Sequence, residues 1–237
     1  VDGDYYGSYE PDYGDTESTV EICVASGSDV DGGALTYSYA WLNQTQAFDL
    51  GTGDSLSLSA QVSAPGDIIV CEVTVVDGDG GSAIDTSSVT VENTGPVVSS
   101  VTVTPSTAYN DSTLTCNVSA SDADGQSLTT TYVWKNGTST LGTSQTLTLS
   151  SSTASVGDSI TCTATVTDTD GSSDSGSGSK TLSNRSPTVS SVSINPFNGL
   201  VVGTTLTCSA STADPDGQSV STGYAWTNGS STIGTSS

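Results

Sequence analysis

The residues best suited to chemistry are acidic, and they recur. Asp-x-Asp-Gly stands at Asp29 to Gly32, Asp77 to Gly80, Asp122 to Gly125, Asp168 to Gly171 and Asp214 to Gly217. Carboxylates two residues apart on a Gly-ended loop are hard oxygen donors, of which Ca2+ takes about six to eight. If paired loops meet, Asp29, Asp31, Asp77 and Asp79 form one set and Asp122, Asp124, Asp168 and Asp170 another. Four carboxylates so close repel one another unless a cation sits among them. Glu92 and Asn93, on the segment that joins the two sets, would add oxygens. A structural Ca2+ is therefore the one cofactor to expect. A second account needs no ion, because Asp accepts from nearby amides and Gly takes positive φ, so both favour tight turns. No loop completes an EF-hand, since the third oxygen position before Gly and the later Glu are missing. Arg185 stands in the next joining segment, where a ligand would be wanted.

Catalysis has little to work with. The chain has no His, which removes Ser-His-Asp and Cys-His nucleophiles. Its five Cys are not spaced for zinc, and no Gly-Lys-Ser/Thr phosphate loop occurs. Paired aspartates can hydrolyse a glycoside, but on hairpin-like loops turn or calcium roles come first. No catalytic residue is assigned, and a non-enzyme is expected. Asn43, Asn136 and Asn228 each lie two after a Trp and begin an Asn-x-Ser/Thr sequon, a candidate glycosylation site; Asn110, Asn117 and Asn184 begin others. With 82 Ser plus Thr such triplets also arise by chance, and Asn-Gly at 136 and 228 is itself a turn signal.

Strands must position these loops. Leu114 to Ala120 and Ile160 to Val166 alternate apolar with Thr, Asn and Ser, as half-buried strands do. Cys116 and Cys162 fall on the inward faces. Leu128, Tyr132 and Trp134 share one parity on a third strand between them. The pattern repeats: Cys23, Trp41 and Cys71 precede these by 93, 93 and 91 positions, and Cys208 and Trp226 follow by 92. Tyr39, Tyr132 and Tyr224 stand two before each Trp, and the joining segments Asn93 to Val101 and Asn184 to Val192 match. Self-similarity at fixed period marks an array.

Cys, Trp and Cys so placed resemble the pin of an immunoglobulin-like β-sandwich, with an indole packed over an inter-sheet bridge. With Gly-Asp-x-Ile-x-Cys (Gly66 to Cys71, Gly157 to Cys162) and the Asn-x-x-Pro linkers, the chain is similar to tandem immunoglobulin-like or polycystic-kidney-disease-like repeats of large secreted bacterial and archaeal surface proteins. Ile69 and Ile160 stand where antibody-type domains place the corner Tyr, and the polycystic-type Trp-Asp-Phe-Gly-Asp-Gly core is missing. The resemblance implies Cys23–Cys71 and Cys116–Cys162 disulfides, Trp41, Trp134 and Trp226 as core residues, and a partner for Cys208 beyond the chain end. The expected fold is all-β: two complete sandwiches at 1–95 and 96–186 and a truncated third at 187–237, half a sandwich that should not bury its core. Strands are expected near 18–26, 34–42, 54–60, 67–76, 83–92, 98–104, 145–150 and 177–183, with Tyr5 to Glu10 as an opening strand in the acidic, Tyr-rich segment.

Charge narrows the role. Twenty-six acidic side chains face three basic ones, a net −23, which repels nucleic acid and anionic membrane. No apolar run approaches the roughly eighteen residues of a membrane span. Paired cysteines point to an oxidising, extracellular or cell-surface setting. The expected role is a structural array (stalk, fibre or surface filament) whose partners are its own neighbouring domains or other copies. The alternative is a calcium-dependent adhesin taking glycan or a surface protein at the acidic loop end.

Overall fold

The computed structural model describes residues 20–236, and every regular element among them is a β-strand. The opening strand expected at Tyr5 to Glu10 lies outside the described residues.

In the first repeat β1 (Val20–Ile22), β2 (Thr36–Asn43), β3 (Phe48–Thr52), β4 (Ser55–Ser57), β5 (Ile68–Val76) and β6 (Ser82–Thr90) form two sheets. One has the order β3-β2-β5-β6, the other is the pair β1-β4. Period-2 side-chain alternation does the sorting: Ile69, Cys71 and Val73 of β5 point inward, with Trp41 directly opposite Cys71. Cys23 follows β1, donates its N–H to the Asp54 carbonyl at 2.8 Å and is bonded to Cys71, stapling the two sheets. Tyr37, Tyr39, Leu50, Leu56, Leu58 and Val91 close around this pin.

The second repeat contains β7 (Val97–Thr104), β8 (Thr113–Ser121), β9 (Thr129–Asn136), β10 (Ser139–Gly142), β11 (Thr146–Thr148), β12 (Ser159–Thr167) and β13 (Ser173–Thr181). Here the sheets are β10-β9-β12-β13 and β11-β8-β7. The Cys116–Cys162 disulfide joins β8 to β12, and Trp134, Leu114, Ile160 and both cysteines have no exposed surface. Closing a loop across 46 residues contributes about 4 kcal/mol on the chain-entropy model.

The third repeat contributes β14 (Thr188–Asn195) paired with β15 (Thr207–Ala213), and β16 (Trp226–Asn228) paired with β17 (Ser231–Gly234). Val189, Val192, Ile194 and Ile233 remain exposed, and Cys208 is half-buried without a disulfide partner among the described residues. All three indoles donate alike, Trp41, Trp134 and Trp226 through Nε1–H to the carbonyls of Gly53, Ser144 and Ser236 at 2.9, 2.9 and 2.7 Å. Only Trp41 and Trp134 are buried, however; Trp226, expected in a core, is half-buried and packs in no core cluster among the described residues.

Compactness draws its line elsewhere than the repeat period. One unit holds the described residues to Val98 together with Ala120–Thr130 and Val166–Asp174; the other holds Ser99–Ser119, Thr131–Thr165 and the residues from Ser175 on. Both acidic loops of the second repeat thus belong with the residues that precede its first strand.

Candidate functional site

Each Asp-x-Asp-Gly loop uses its first Asp in the same way. The Oδ1 atoms of Asp29, Asp77, Asp122, Asp168 and Asp214 accept the N–H two residues on, at 2.8 to 2.9 Å. Asp77 and Asp168 also accept from Gly81 and Ser172 at 2.8 Å, and Asp122 and Asp214 more loosely from Gln126 and Gln218 at 3.4 Å. These are side-chain caps on tight turns, so the turn account holds for all five. Gly at the fourth position takes φ between 70° and 94°, where a Cβ would be strained.

The second Asp reaches elsewhere. Asp124 Oδ2 accepts the backbone N–H of Thr94 at 2.6 Å, and Asp216 Oδ2 accepts that of Arg185 at 2.5 Å. Thr94 and Arg185 hold the same place in the two Asn-x-x-Pro linkers. One device therefore fastens both linkers, a carboxylate on a main-chain amide. Asp31 and Asp79, which meet no linker among the described residues, are exposed.

Around the first linker the contacts form a closed ring. Asn93 Nδ2 donates to Asp168 Oδ2 and Ser172 Oγ, both at 3.0 Å, and Gln126 Nε2 donates to Asp170 Oδ2 at 2.6 Å. The Asn93 amide holds the Asp168 carboxyl below its ordinary 3.8, against burial that pushes it up, with help from the N–H groups of Ser172, Gly171 and Asp170. Three oxygens on this ring, Asn93 Oδ1, Asp122 Oδ2 and Gln126 Oε1, are fully buried with no hydrogen-bond partner. Glu92 is exposed.

The second linker brings its own cation. Arg185 Nε meets Asp216 Oδ1 at 2.9 Å, and its Nη2 meets Asp111 at 3.0 Å, Asn110 Oδ1 at 3.3 Å and the Pro215 carbonyl at 3.0 Å. The guanidinium lies 4.7 Å from the Tyr109 ring centre, and Asn110 Nδ2 donates to the Asp216 carbonyl at 2.8 Å. Burial works against the Arg185 charge, but Asp111 and Asp216 outweigh it and raise its pKa further.

The expected metal sets are arranged differently from the sequence reading. Among the described residues no three of His, Cys, Asp and Glu gather closely enough to hold an ion. Each first Asp turns into its own loop, and at the two linkers the second turns to a backbone N–H. Asn43 is not a glycan acceptor in the folded chain: it has no exposed surface, and its Nδ2 donates to Asp67 Oδ2 at 2.8 Å and the Val62 carbonyl at 3.2 Å. Asn136 Nδ2 likewise donates to Asp158 Oδ2 at 2.6 Å, while Asn228 is exposed. Asp67 and Asp158, the Asp of Gly-Asp-x-Ile-x-Cys, had no role assigned from sequence. The signal was their fixed place four before the second Cys, matched to an Asn two after Trp. Asp67 also accepts from Gln46 Nε2 at 2.6 Å and Ala64 N–H at 2.9 Å. Burial pushes its carboxyl up, and these three donors together hold it below 3.8.

No protein-family model matches the chain, and no curated protein matches it either. Nothing therefore supports the finer likeness to polycystic-type repeats or to bacterial and archaeal proteins. Similar solved structures include the fibronectin(III)-like modules of Clostridium thermocellum CbhA, at 15% identity over 70% of this chain and 87% of that one, TM-score 0.29. The three N-terminal domains of the bacteriophage RB49 highly immunogenic outer capsid protein match at 16% over 82% and 63%, TM-score 0.30. Protocadherin Gamma B2 extracellular cadherin domains 3–6 match at 15% over 84% and 52%, TM-score 0.34. The chain spans less than two thirds of the capsid protein domains and about half of the cadherin ones. The β-sandwich architecture stands on the chain's own sheets and staples.

Proposed function

We propose that this chain is part of an extracellular structural array, a stalk, fibre or surface filament of immunoglobulin-type domains. The observation that carries the reading is the repeated linker fastening, Asp124 to the Thr94 N–H and Asp216 to the Arg185 N–H. The two carboxylates that reach the linkers, Asp124 and Asp216, accept from the chain's own backbone N–H groups, as an architectural role requires. Two inter-sheet disulfides favour an oxidising, extracellular setting. Among the described residues no helix is long and apolar enough to cross a membrane.

Asp31 and Asp79 favour a second reading. Exposed on the first repeat, they suit an adhesin that takes glycan or a surface protein at its acidic loop end. Two measurements separate the readings. Antibody labelling of the native protein in electron micrographs should decorate a stalk or filament at intervals, and amide exchange at Thr94 and Arg185 should be slow. Fast exchange at both amides rejects the fastening; specific, calcium-dependent retention on a glycan array, lost in Asp31→Asn, selects the adhesin.

A further inference from the structure

The three unpartnered buried oxygens of the first linker have no explanation in turn chemistry. Asp122 already caps its loop through Oδ1, yet Oδ2 of the same carboxylate is buried with nothing to accept from. Leaving a buried acceptor oxygen without a donor costs the full desolvation penalty of that group. Asn93 and Gln126 each spend their NH2 group on an aspartate of the neighbouring loop, which leaves their carbonyl oxygens buried and unused. All three residues belong to one closed circuit. From Thr94 it passes to Asp124 at 2.6 Å, to Asp122 at 2.9 Å, to Gln126 at 3.4 Å and to Asp170 at 2.6 Å. It then runs to Asp168 at 2.9 Å and to Asn93 at 3.0 Å, the residue next to Thr94.

Charge points the same way. None of Lys135, Lys180 and Arg185 lies in the compact unit that contains this circuit, so Asp122, Asp124, Asp168 and Asp170 have no cationic side chain within their own unit. The second linker shows what the same frame does with a cation. There Arg185, at the place of Thr94, sets its guanidinium on the Asp216 carboxylate, and Gln218 is exposed where its counterpart Gln126 is half-buried.

We propose that the first linker binds one Ca2+ through Asn93 Oδ1, Asp122 Oδ2 and Gln126 Oε1, with water completing the shell. The donors are all oxygen, one charged and two neutral, and their side chains are already held by hydrogen bonds. Ca2+ accepts amide carbonyls and flexible, mixed shells, whereas Mg2+ demands near-octahedral geometry and gives up its water reluctantly. The site deepens the architectural reading and rests on its linker fastening, while a Thr94 amide that stays slow without the ion would leave that fastening standing if the ion fails. Neither the Asp29, Asp31, Asp77, Asp79 set nor the second linker is part of it.

The test uses the whole chain, stripped with chelator and titrated with CaCl2 by equilibrium dialysis and thermal melting, with MgCl2 and with NaCl at matched ionic strength alongside. One Ca2+ per chain is expected, with Kd on the order of 10⁻⁴ to 10⁻³ M and a higher melting temperature. Asp122→Asn keeps the Oδ1 cap but neutralises Oδ2 and should weaken binding at least about tenfold. Gln126→Ala should weaken it as well and carries the test alone if Asp122→Asn disturbs folding, while Asp31→Asn should leave it unchanged. The proposal is overturned by no binding up to about 10 mM Ca2+, which would mean that water satisfies the three oxygens. A melting shift matched by NaCl, meaning charge screening only, or binding that survives Asp122→Asn and Gln126→Ala also overturns it.

Discussion

Asn43→Ala is the most searching single change in the first repeat. At pH 7 it removes a bond of 2.8 Å to the Asp67 carboxylate, a bond of 3.2 Å to the Val62 carbonyl and the acceptor of the Gln46 N–H at 3.1 Å. A hydrogen bond to a charged group contributes about 1.5–3 kcal/mol and each neutral one about 0.5–1.5. Asn43 itself has no exposed surface, so water does not readily replace what is lost, and about 3–5 kcal/mol of local stability should go. Asp67→Asn should cost less, because one oxygen still accepts, and the double variant should show non-additivity between the two sites. The pH sign follows from the depressed carboxyl of Asp67. A group whose folded pKa lies below its unfolded value stabilises above the unfolded value and loses that contribution as pH falls through the folded one. Wild-type stability should therefore decline from near pH 3.8 downward, and Asp67→Asn should flatten that decline. Urea unfolding followed by hydrogen exchange in peptides spanning β2 and β5 reads both effects locally. A loss under about 1 kcal/mol for Asn43→Ala, or an acid limb unchanged in Asp67→Asn, would refute the lock.

Three further outcomes are expected. Replacing Cys116 and Cys162 together by Ala should lower the stability of the second repeat by about 4 kcal/mol, read from its urea midpoint. Gly178→Ala should destabilise it by about 1–3 kcal/mol, because a Cβ there would lie 2.6 Å from the Val101 carbonyl oxygen; an unchanged melting temperature would show that the backbone gives way freely. Arg185→Met should speed amide exchange at residue 185 and lower stability more at low salt than at high salt, since it leaves the Asp216 carboxylate, whose side chain has no exposed surface, without its guanidinium.

Where period and burial coincide, the sequence was legible. Thr113–Ser121 carries clean apolar alternation, and Ile68–Val76 is a mostly apolar run whose burial alternates over Ile69, Cys71 and Val73. Cys23, Cys71, Cys116, Cys162, Trp41 and Trp134 are buried where expected, whereas Trp226 is not. β3 (Phe48–Thr52) and β10 (Ser139–Gly142) escaped notice because Asp49 and two glycines interrupt the pattern and because each pairs only on one side. β13 reads Ser-Asp-Ser-Gly-Ser-Gly-Ser-Lys-Thr, with no apolar residue to mark an inward face; Gly178 is there because the Val101 backbone comes too close for a side chain. The acidic loops show the other limit. Spacing revealed that Asp122 and Asp124 act together, but not that one faces its own turn and the other a linker amide, since a carboxylate's direction depends on which donor arrives.

The linker bond to the second Asp has an evolutionary consequence. Its donor is a peptide N–H, offered by threonine in one linker and arginine in the other, so the acceptor does not discriminate between side chains. A gene duplication that inserts or deletes a whole repeat would keep this join intact, provided the donor residue is not proline, which has no N–H. Array length can then drift by whole repeats while neighbouring copies diverge freely at their joints.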